Sequence, residues 1–249
     1  MNPQPVVLLH GFAGSPRSWD RVASLLSPAT PLLRPALCGH GMPAPDSATF
    51  DEEVDRIANA LRSEGISGAV LAGYSLGGRV ALGLIVRHPA LFSRAVLIGA
   101  SPGLADDAGR AERLSADEAW ARRIERDGTS AFVDAWERLP LFATQRRLDA
   151  SVLEEQRRIR LSHTAAGLAQ AMRVLGLARM PNLLTALARV PIPVQLVAGE
   201  LDDKYRAHAG VMAKALPDAG LIVAAGCGHN VVLEDPAAVA ALLRKESST

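Results

Sequence analysis

The chain of 249 residues carries only two cysteines, Cys38 and Cys227, too few for a disulfide framework. No apolar run approaches the ~20 residues that a helix needs to cross a bilayer. Nor does one sign of charge dominate. With 27 Lys and Arg against 26 Asp and Glu, no overall field draws the chain to nucleic acid or to an anionic membrane, so neither is expected as a partner and any anion recognition has to be local. Metal-ligand spacing is lacking too: Cys38 and His40 have no second cluster to complete a site and read as turn residues. The glycines Gly73, Gly77 and Gly78 follow neither Gly-x-Gly-x-x-Gly nor a P-loop, and no flavin motif appears, so no cofactor and no metal are expected. Residues Met1 to Pro5 carry neither a basic flank nor a signal-type apolar core, which makes the cytoplasm the expected compartment. What the chain does have is apolar material. At 49% hydrophobic residues and a mean hydropathy of +0.13, it can bury a large core as one domain with an inserted subdomain.

The stretch Val70 to Ala81 organises the rest. An apolar run ends in Gly73-Tyr74-Ser75-Leu76-Gly77 and passes at once into a helical pattern, the strand, sharp turn and helix order of a nucleophile elbow. Glycine is required at 73 and 77 because the serine backbone is strained and a side chain two residues away on either side would collide with neighbouring backbone. Short apolar runs at Pro5 to Leu9, Thr30 to Leu37, Arg94 to Gly99, Pro193 to Gly199 and Ala219 to Ala224 read as further strands, the second broken by Pro31 and Pro35 and therefore an edge or irregular segment. Helical patterns fall between them: Ser15 to Leu26; Asp46 to Ser63 with Phe50, Val54, Ile57, Ala58 and Leu61 on one face; and Pro236 to Lys245 at the end. Strands alternating with helices give a parallel α/β sheet. From Gly103 to about Val190 no strand-like run occurs. Residues 103–190 are accordingly expected to form a helical cap inserted in an α/β core of residues 1–102 and 191–249, and the cap is where substrate preference should reside.

A serine hydroxyl needs a base to take its proton and a third group to hold that base in the right tautomer. The order expected for an elbow serine is serine, acid, histidine, each in a loop after a strand. Gly199-Glu200-Leu201-Asp202-Asp203 follows one strand and Gly226-Cys227-Gly228-His229 follows the last. Asp202 is preferred, with Asp203 and Glu200 as alternatives, and His229 is the histidine; His10, His40, His88, His163 and His208 lie in the wrong places for a triad. The oxyanion hole is expected from the N–H of Leu76, just after the serine, and that of Phe12 in the loop His10-Gly11-Phe12-Ala13-Gly14.

Together, His-Gly-Phe, Gly-x-Ser-x-Gly, Gly-Glu-x-Asp and Gly-His resemble the α/β-hydrolase superfamily across the whole chain. Gly73 to Ala81, Ser101-Pro102-Gly103-Leu104, Arg110-Ala111-Glu112-Arg113 with Trp120-Ala121, and the segments around Phe132 to Phe142, Arg157 to Met172 and Gly199 to Ala207 are similar to the 2-succinyl-6-hydroxy-2,4-cyclohexadiene-1-carboxylate synthases of menaquinone biosynthesis. Two departures stand out: Leu37-Cys38-Gly39-His40-Gly41 replaces Leu-Pro-Gly-His-Gly, and Leu-Ser-His-Thr follows Arg160 where the family tends to be Asn-rich. The resemblance implies a lyase that eliminates pyruvate from 2-succinyl-5-enolpyruvyl-6-hydroxy-3-cyclohexene-1-carboxylate, with Ser75, His229 and Asp202 serving proton abstraction. Such a small-molecule tricarboxylate calls for guanidinium partners. Arg79, Arg113 and Arg160 match the family positions, with Arg110 as the rival of Arg113. Arg79 falls in the first turn of the elbow helix, where a cation opposes the helix dipole unless an anion arrives. Tyr74 and Trp136 match pocket positions as well, the tryptophan being equally readable as core. Two other readings stay open: a serine carboxylesterase or carbon–carbon bond hydrolase, and a ligand-binding receptor that retains the triad.

Overall fold

A computed structural model describes residues 4–41 and 49–244. In chain order the elements are β1 (Val6–Leu9), a 3-10 turn at Pro16–Trp19 running into α1 (Asp20–Ala23), β2 (Leu32–Leu33), α2 (Phe50–Ser63), β3 (Ala69–Tyr74), α3 (Leu76–Arg87) and β4 (Phe92–Ile98). Helices α4 (Asp107–Trp136), α5 (Ala150–Leu161) and α6 (Ala165–Leu175) follow with short 3-10 segments between and after them, and α4 is interrupted at Gly128, whose φ is 82°. The sheet then resumes with β5 (Val194–Gly199), α7 (Asp203–Ala215), β6 (Ala219–Ala224), α8 (Val231–Glu234) and α9 (Pro236–Arg244). The strands form one parallel sheet in the order β2-β1-β3-β4-β5-β6.

Why the apolar runs became central strands is visible in their burial. Every residue of β1 and β3 is buried, because helices cover both faces of the sheet and leave no solvated side that would select alternation. Alternate residues feed two cores. Val7, Leu9 and Leu71 meet α2 and α3 on one face, and Leu8, Val70 and Ala72 meet Trp19, Val239 and Leu243 on the other. The register aligns the carboxyl ends: Leu9 pairs with Gly73, Tyr74 with Ile98, and Ile98 with Val197. The loops that leave these strands therefore emerge together at one end of the sheet. Helix α4 packs on α6 and α5 over that end, and α5 also touches the Pro16–Trp19 turn.

Three expectations are adjusted. The second strand shrinks to Leu32–Leu33 at the sheet edge, since Pro31 and Pro35 have no N–H to continue a ladder. The Ser15 to Leu26 helix divides into a 3-10 turn and one α turn, with Ser15 capping its start. Helix α2 begins at Phe50 rather than Asp46: Thr49 accepts from the Glu52 N–H at 3.2 Å and Glu52 accepts in return from the Thr49 N–H at 2.8 Å, a reciprocal cap that fixes the first turn. Residues 46–48 and Lys245, placed in helices by the sequence reading, lie outside the described residues. Among the described residues no helix is long and apolar enough to cross a membrane.

The apolar face of α2 also carries a buried carboxylate. Glu53 accepts from the Cys38 N–H at 2.8 Å and pairs with Arg56 at 2.6 Å, while Arg56 donates to the Ala36 carbonyl at 2.9 Å. The two side chains clamp the turn 36–40 onto α2. Glu53→Ala would strand a buried N–H and a half-buried guanidinium, and we expect it to cost about 2 kcal/mol. A lower urea midpoint at unchanged m-value would register that loss.

Candidate active site

The elbow rests on close backbone approach. A Cβ at Gly77 would overlap the carbonyls of Leu9 and His10, and one at Gly73 would overlap the Gly77 carbonyl, so α3 can start directly beneath the ends of β1 and β3 only with glycine at both places. Ser75, between them, is held at φ 53°, a conformation that costs a non-glycine residue of order 1–3 kcal/mol. Its N–H donates to the Ile98 carbonyl at 2.8 Å, and its own carbonyl accepts from the Arg79 N–H at 3.0 Å. These bonds offset the strain.

The hydroxyl so presented lies 2.9 Å from His229 Nε2, and His229 Nδ1 lies 2.7 Å from Asp202 Oδ2. A carboxylate oxygen accepts, so Nδ1 carries the proton and Nε2 is left to accept from the serine. Of the three acidic residues after β5, Asp202 is the one turned to the histidine. Asp203 pairs with Arg206 on the surface at 3.0 Å, and Glu200 accepts from the Gly226 N–H at 2.7 Å. The imidazole is flanked by Tyr205 and Tyr74, with ring centroids at 4.2 and 5.3 Å. Gly99, at φ 56°, passes so close that a Cβ there would come within 2.9 Å of His229 Cε1. Among the described residues neither the Phe12 N–H, in the loop that leaves β1, nor the Leu76 N–H, at the first residue of α3, donates to a backbone or side-chain acceptor.

A cavity of about 930 Å³, including its open mouth, rises above the serine. Phe12, Tyr74, Trp136, Phe142 and Arg160 are among its walls. Trp136 serves two purposes at once, since it also packs edge-on against Phe12 and Trp120 at 5.3 and 5.5 Å. The three arginines are not gathered in one place. Arg160 lies on the cavity wall, buried, donating to Glu137 at 2.9 Å with its guanidinium 5.2 Å from the Phe142 ring; burial pulls its proton affinity below the usual arginine range. Arg79 and Arg113 are off that wall. Arg79 is half-buried beneath α6, where Nη1 donates to the Leu175 carbonyl at 2.8 Å, and desolvation lowers its pKa to about 10. Arg113 pairs one turn along α4 with Asp117 at 2.8 Å, and burial raises the Asp117 carboxyl despite that partner. Tyr205, whose ring lies on His229, feels both of these arginines electrostatically. Arg110, the rival, is committed elsewhere: it donates to the carbonyls of Leu104, Ala178 and Met180.

Sequence reasoning passed over a buried histidine group. His10 Nε2 accepts from the Leu37 N–H at 3.2 Å, and His40 Nε2 accepts from the Ala13 N–H at 2.9 Å. Their other nitrogens donate to the carbonyls of Gly11 and Cys38 at 2.8 and 2.9 Å. His163 completes the group, its ring 5.2 Å from that of His40. The available signal was the repeated His-Gly pair at His10-Gly11 and His40-Gly41, which spacing alone does not bring together.

Set against known proteins, the chain matches the model of the alpha/beta hydrolase family over residues 6–242. The chain belongs to the alpha/beta hydrolase family. It is 37% identical over 239 residues to a 2-succinyl-6-hydroxy-2,4-cyclohexadiene-1-carboxylate synthase of Enterobacter sp. (strain 638), covering 96% of this chain and 89% of that one. A synthase of the same name from Klebsiella pneumoniae (strain 342) is 36% identical, with 96% and 91% covered. Among solved structures, MenH from S. aureus superposes with a TM-score of 0.92 at 30% identity, over 96% of this chain and 91% of that one.

The histidine group gives the fold a pH dependence of definite sign. Burial lowers His10 from 6.5 to about 4, so between those values the unfolded chain binds a proton that the folded chain refuses. Stability is complete above about pH 6.5 and declines as the pH falls toward 4, by about 2 kcal/mol near pH 5 from His10 alone. Urea midpoints measured at about pH 7 and about pH 5 check this; a midpoint that does not fall would contradict it.

Proposed function

We propose that the chain eliminates pyruvate from 2-succinyl-5-enolpyruvyl-6-hydroxy-3-cyclohexene-1-carboxylate, giving 2-succinyl-6-hydroxy-2,4-cyclohexadiene-1-carboxylate. The observation that carries the reading is Arg160, a buried guanidinium on the cavity wall beside Ser75, in a chain similar along nearly its whole length to synthases of that name. A pocket for apolar acyl groups has no need of a desolvated cation, whereas a carboxylated ring does.

On this reading His229, oriented by Asp202, takes the hydroxyl proton of Ser75 as the serine oxygen removes the ring proton beside the succinyl ketone. The C–H electron pair moves toward the ketone oxygen, and the negative charge there is met by the N–H groups of Phe12 and Leu76. Collapse of that oxyanion restores the ketone and forms a double bond from the deprotonated ring carbon, the existing ring double bond shifts by one position, and the bond from ring carbon to enolpyruvyl oxygen breaks. The departing enolate collects the proton and leaves as pyruvate. No water is added. Arg79, Arg113 and Arg160 bind the carboxylates, with Tyr74 and Trp136 against the ring, and residues 103–190 act as the cap that selects this substrate.

One observation favours a second reading. Leu141, Phe142, Val152 and Ile159 make much of the cavity apolar, and Arg113 already has a carboxylate partner in Asp117; a serine carboxylesterase would fit such a wall. Pyruvate release and p-nitrophenyl acetate hydrolysis, measured side by side, separate the two. We expect pyruvate release to be abolished by Ser75→Ala with substrate binding little changed, and to fall about 10²-fold in Arg113→Ala, the loss of a charge-assisted contact. Ester cleavage that ignores Arg113, with no pyruvate formed, would move the assignment to the esterase.

A further inference from the structure

The loop that carries Phe12 is fastened to the turn before α2 by a reciprocal pair of bonds. His10, in the loop, accepts from the backbone of the turn at Leu37; His40, in the turn, accepts from the backbone of the loop at Ala13. Each ring gives its other N–H to a carbonyl of its own segment, so both imidazoles hold the Nδ1–H tautomer and both Nε2 atoms are acceptors. Ala13 is the residue that most needs such a fastening. Its φ of 56° makes it, with Ser75, one of two non-glycine residues at positive φ among the described residues. Left to itself, an alanine in that conformation would relax toward an ordinary φ and swing the adjoining Phe12 peptide with it.

We infer that His40 is a positioning residue for the oxyanion hole: by accepting the Ala13 N–H it holds the strained loop in the conformation that aims the Phe12 N–H at the reacting oxygen. The inference rests on the reading of Phe12 and Leu76 as the oxyanion donors. Three further features suit His40 to the task. The turn that bears it is itself immobilised, by Glu53 on the Cys38 N–H and by Gly39 lying so close to Gly167 and Ala171 of α6 that no side chain fits. The ring is walled in by His10, Phe12 and His163 at 4.9, 5.5 and 5.2 Å, which leaves it one orientation. Burial and the neighbouring histidines also hold its pKa well below 6.5, so at neutral pH Nε2 keeps the lone pair that the Ala13 N–H requires. A protonated His40 would present a donor to a donor.

The test uses a reagent that needs the hole but not the physiological substrate. A p-nitrophenyl alkylphosphonate is attacked by Ser75 Oγ at phosphorus, p-nitrophenolate leaves, the serine proton passes to His229, and the phosphoryl oxygen occupies the oxyanion position. Phosphonylation and pyruvate release are compared in the wild type, His40→Leu and His40→Gln, with melting curves to confirm folding. His40→Leu should slow phosphonylation and kcat for pyruvate release by about 30-fold or more, approaching the loss of an oxyanion donor, with KM within about threefold. His40→Gln, whose amide oxygen can take the Ala13 N–H, should stay within about threefold of the wild type in both. A folded His40→Leu that is phosphonylated at the wild-type rate overturns the inference, as does a folded His40→Gln as slow as the leucine variant. Should leucine prevent folding, His40→Gln decides alone: near-wild-type rates support the role, and a loss beyond about 30-fold at an unchanged melting temperature refutes it. Phosphonylation following the expected pattern in an enzyme that releases no pyruvate would remove the proposed reaction and leave the role of His40 standing.

Discussion

The contact on which the structure turns is the approach of the first turn of α3 to the ends of β1 and β3. Gly77 has no side chain because the Leu9 and His10 carbonyls occupy that space, and Gly73 has none because the Gly77 carbonyl does. The approach forces Ser75 to φ 53° and puts the start of the helix, with its unsatisfied N–H groups, beside the loop that leaves β1. Strand register does the rest. Because Tyr74 pairs with Ile98 and Ile98 with Val197, the loops bearing Asp202 and His229 begin at the same level as the serine, and a three-residue hydrogen-bonded chain closes without any element bending to reach it.

Cations wholly or partly out of water impose a second constraint. A guanidinium taken out of water is expensive unless oxygen atoms replace its hydration. Arg110 meets that demand with three backbone carbonyls and Arg160 with Glu137, but Arg79 has the single carbonyl of Leu175, and desolvation is the largest influence on it. Asp117 is placed near both Arg79 and Arg113, and its carboxyl is raised because burial outweighs their attraction. Two guanidiniums around one reluctant carboxylate make a region short of negative charge. On the proposed reading, a substrate carboxylate supplies what the fold withholds, and the energy it releases there is available to the chemistry rather than already spent in the resting protein.

How much of this was legible in the sequence follows from the range of the interactions. The elbow is local: strand, glycine, serine, glycine and helix lie in one dozen residues, and backbone sterics alone dictate their order. The two-sided burial of β1 and β3 was equally legible, but the apolar run of β6 gave no sign that it would form an edge strand with Leu221 and Val223 exposed. Asp202 could be ranked above Asp203 and Glu200 by its offset from Gly199, and the geometry turns it alone to His229. The histidine group was hidden because it is purely tertiary: His10 and Leu37, and Ala13 and His40, stand 27 residues apart, and nothing in either segment's periodicity records the pairing. Tyr205 was hidden for a similar reason. Its ring reaches His229 only because Asp202 caps α7 and sets the direction of that helix's first turn, the Tyr205 N–H lying 3.4 Å from Asp202 Oδ1. The dispersal of the arginines was beyond reach as well, for sequence places Arg79, Arg113 and Arg160 on helices without saying which wall each helix faces.

Strain is also distributed with a purpose that the individual contacts do not reveal. The two described non-glycine residues at positive φ, Ala13 and Ser75, flank the point where charge would develop, one in the loop of Phe12 and one just before Leu76. Each is restrained by a hydrogen bond from its own backbone N–H, to His40 Nε2 and to the Ile98 carbonyl respectively. The restraints differ in kind. A strand carbonyl is fixed by the sheet and cannot be titrated, whereas an imidazole accepts only while neutral. The seat of Ser75 is therefore insensitive to acid, and on the proposed reading the Phe12 donor is the part of the site that depends on a buried ring refusing a proton. Burial accomplishes that refusal, with His10 and His163 adding to it, so that, on the inferred role of His40, the apolar packing of α2 and α6 around the turn at 36–41 would keep the Phe12 donor aimed at the serine.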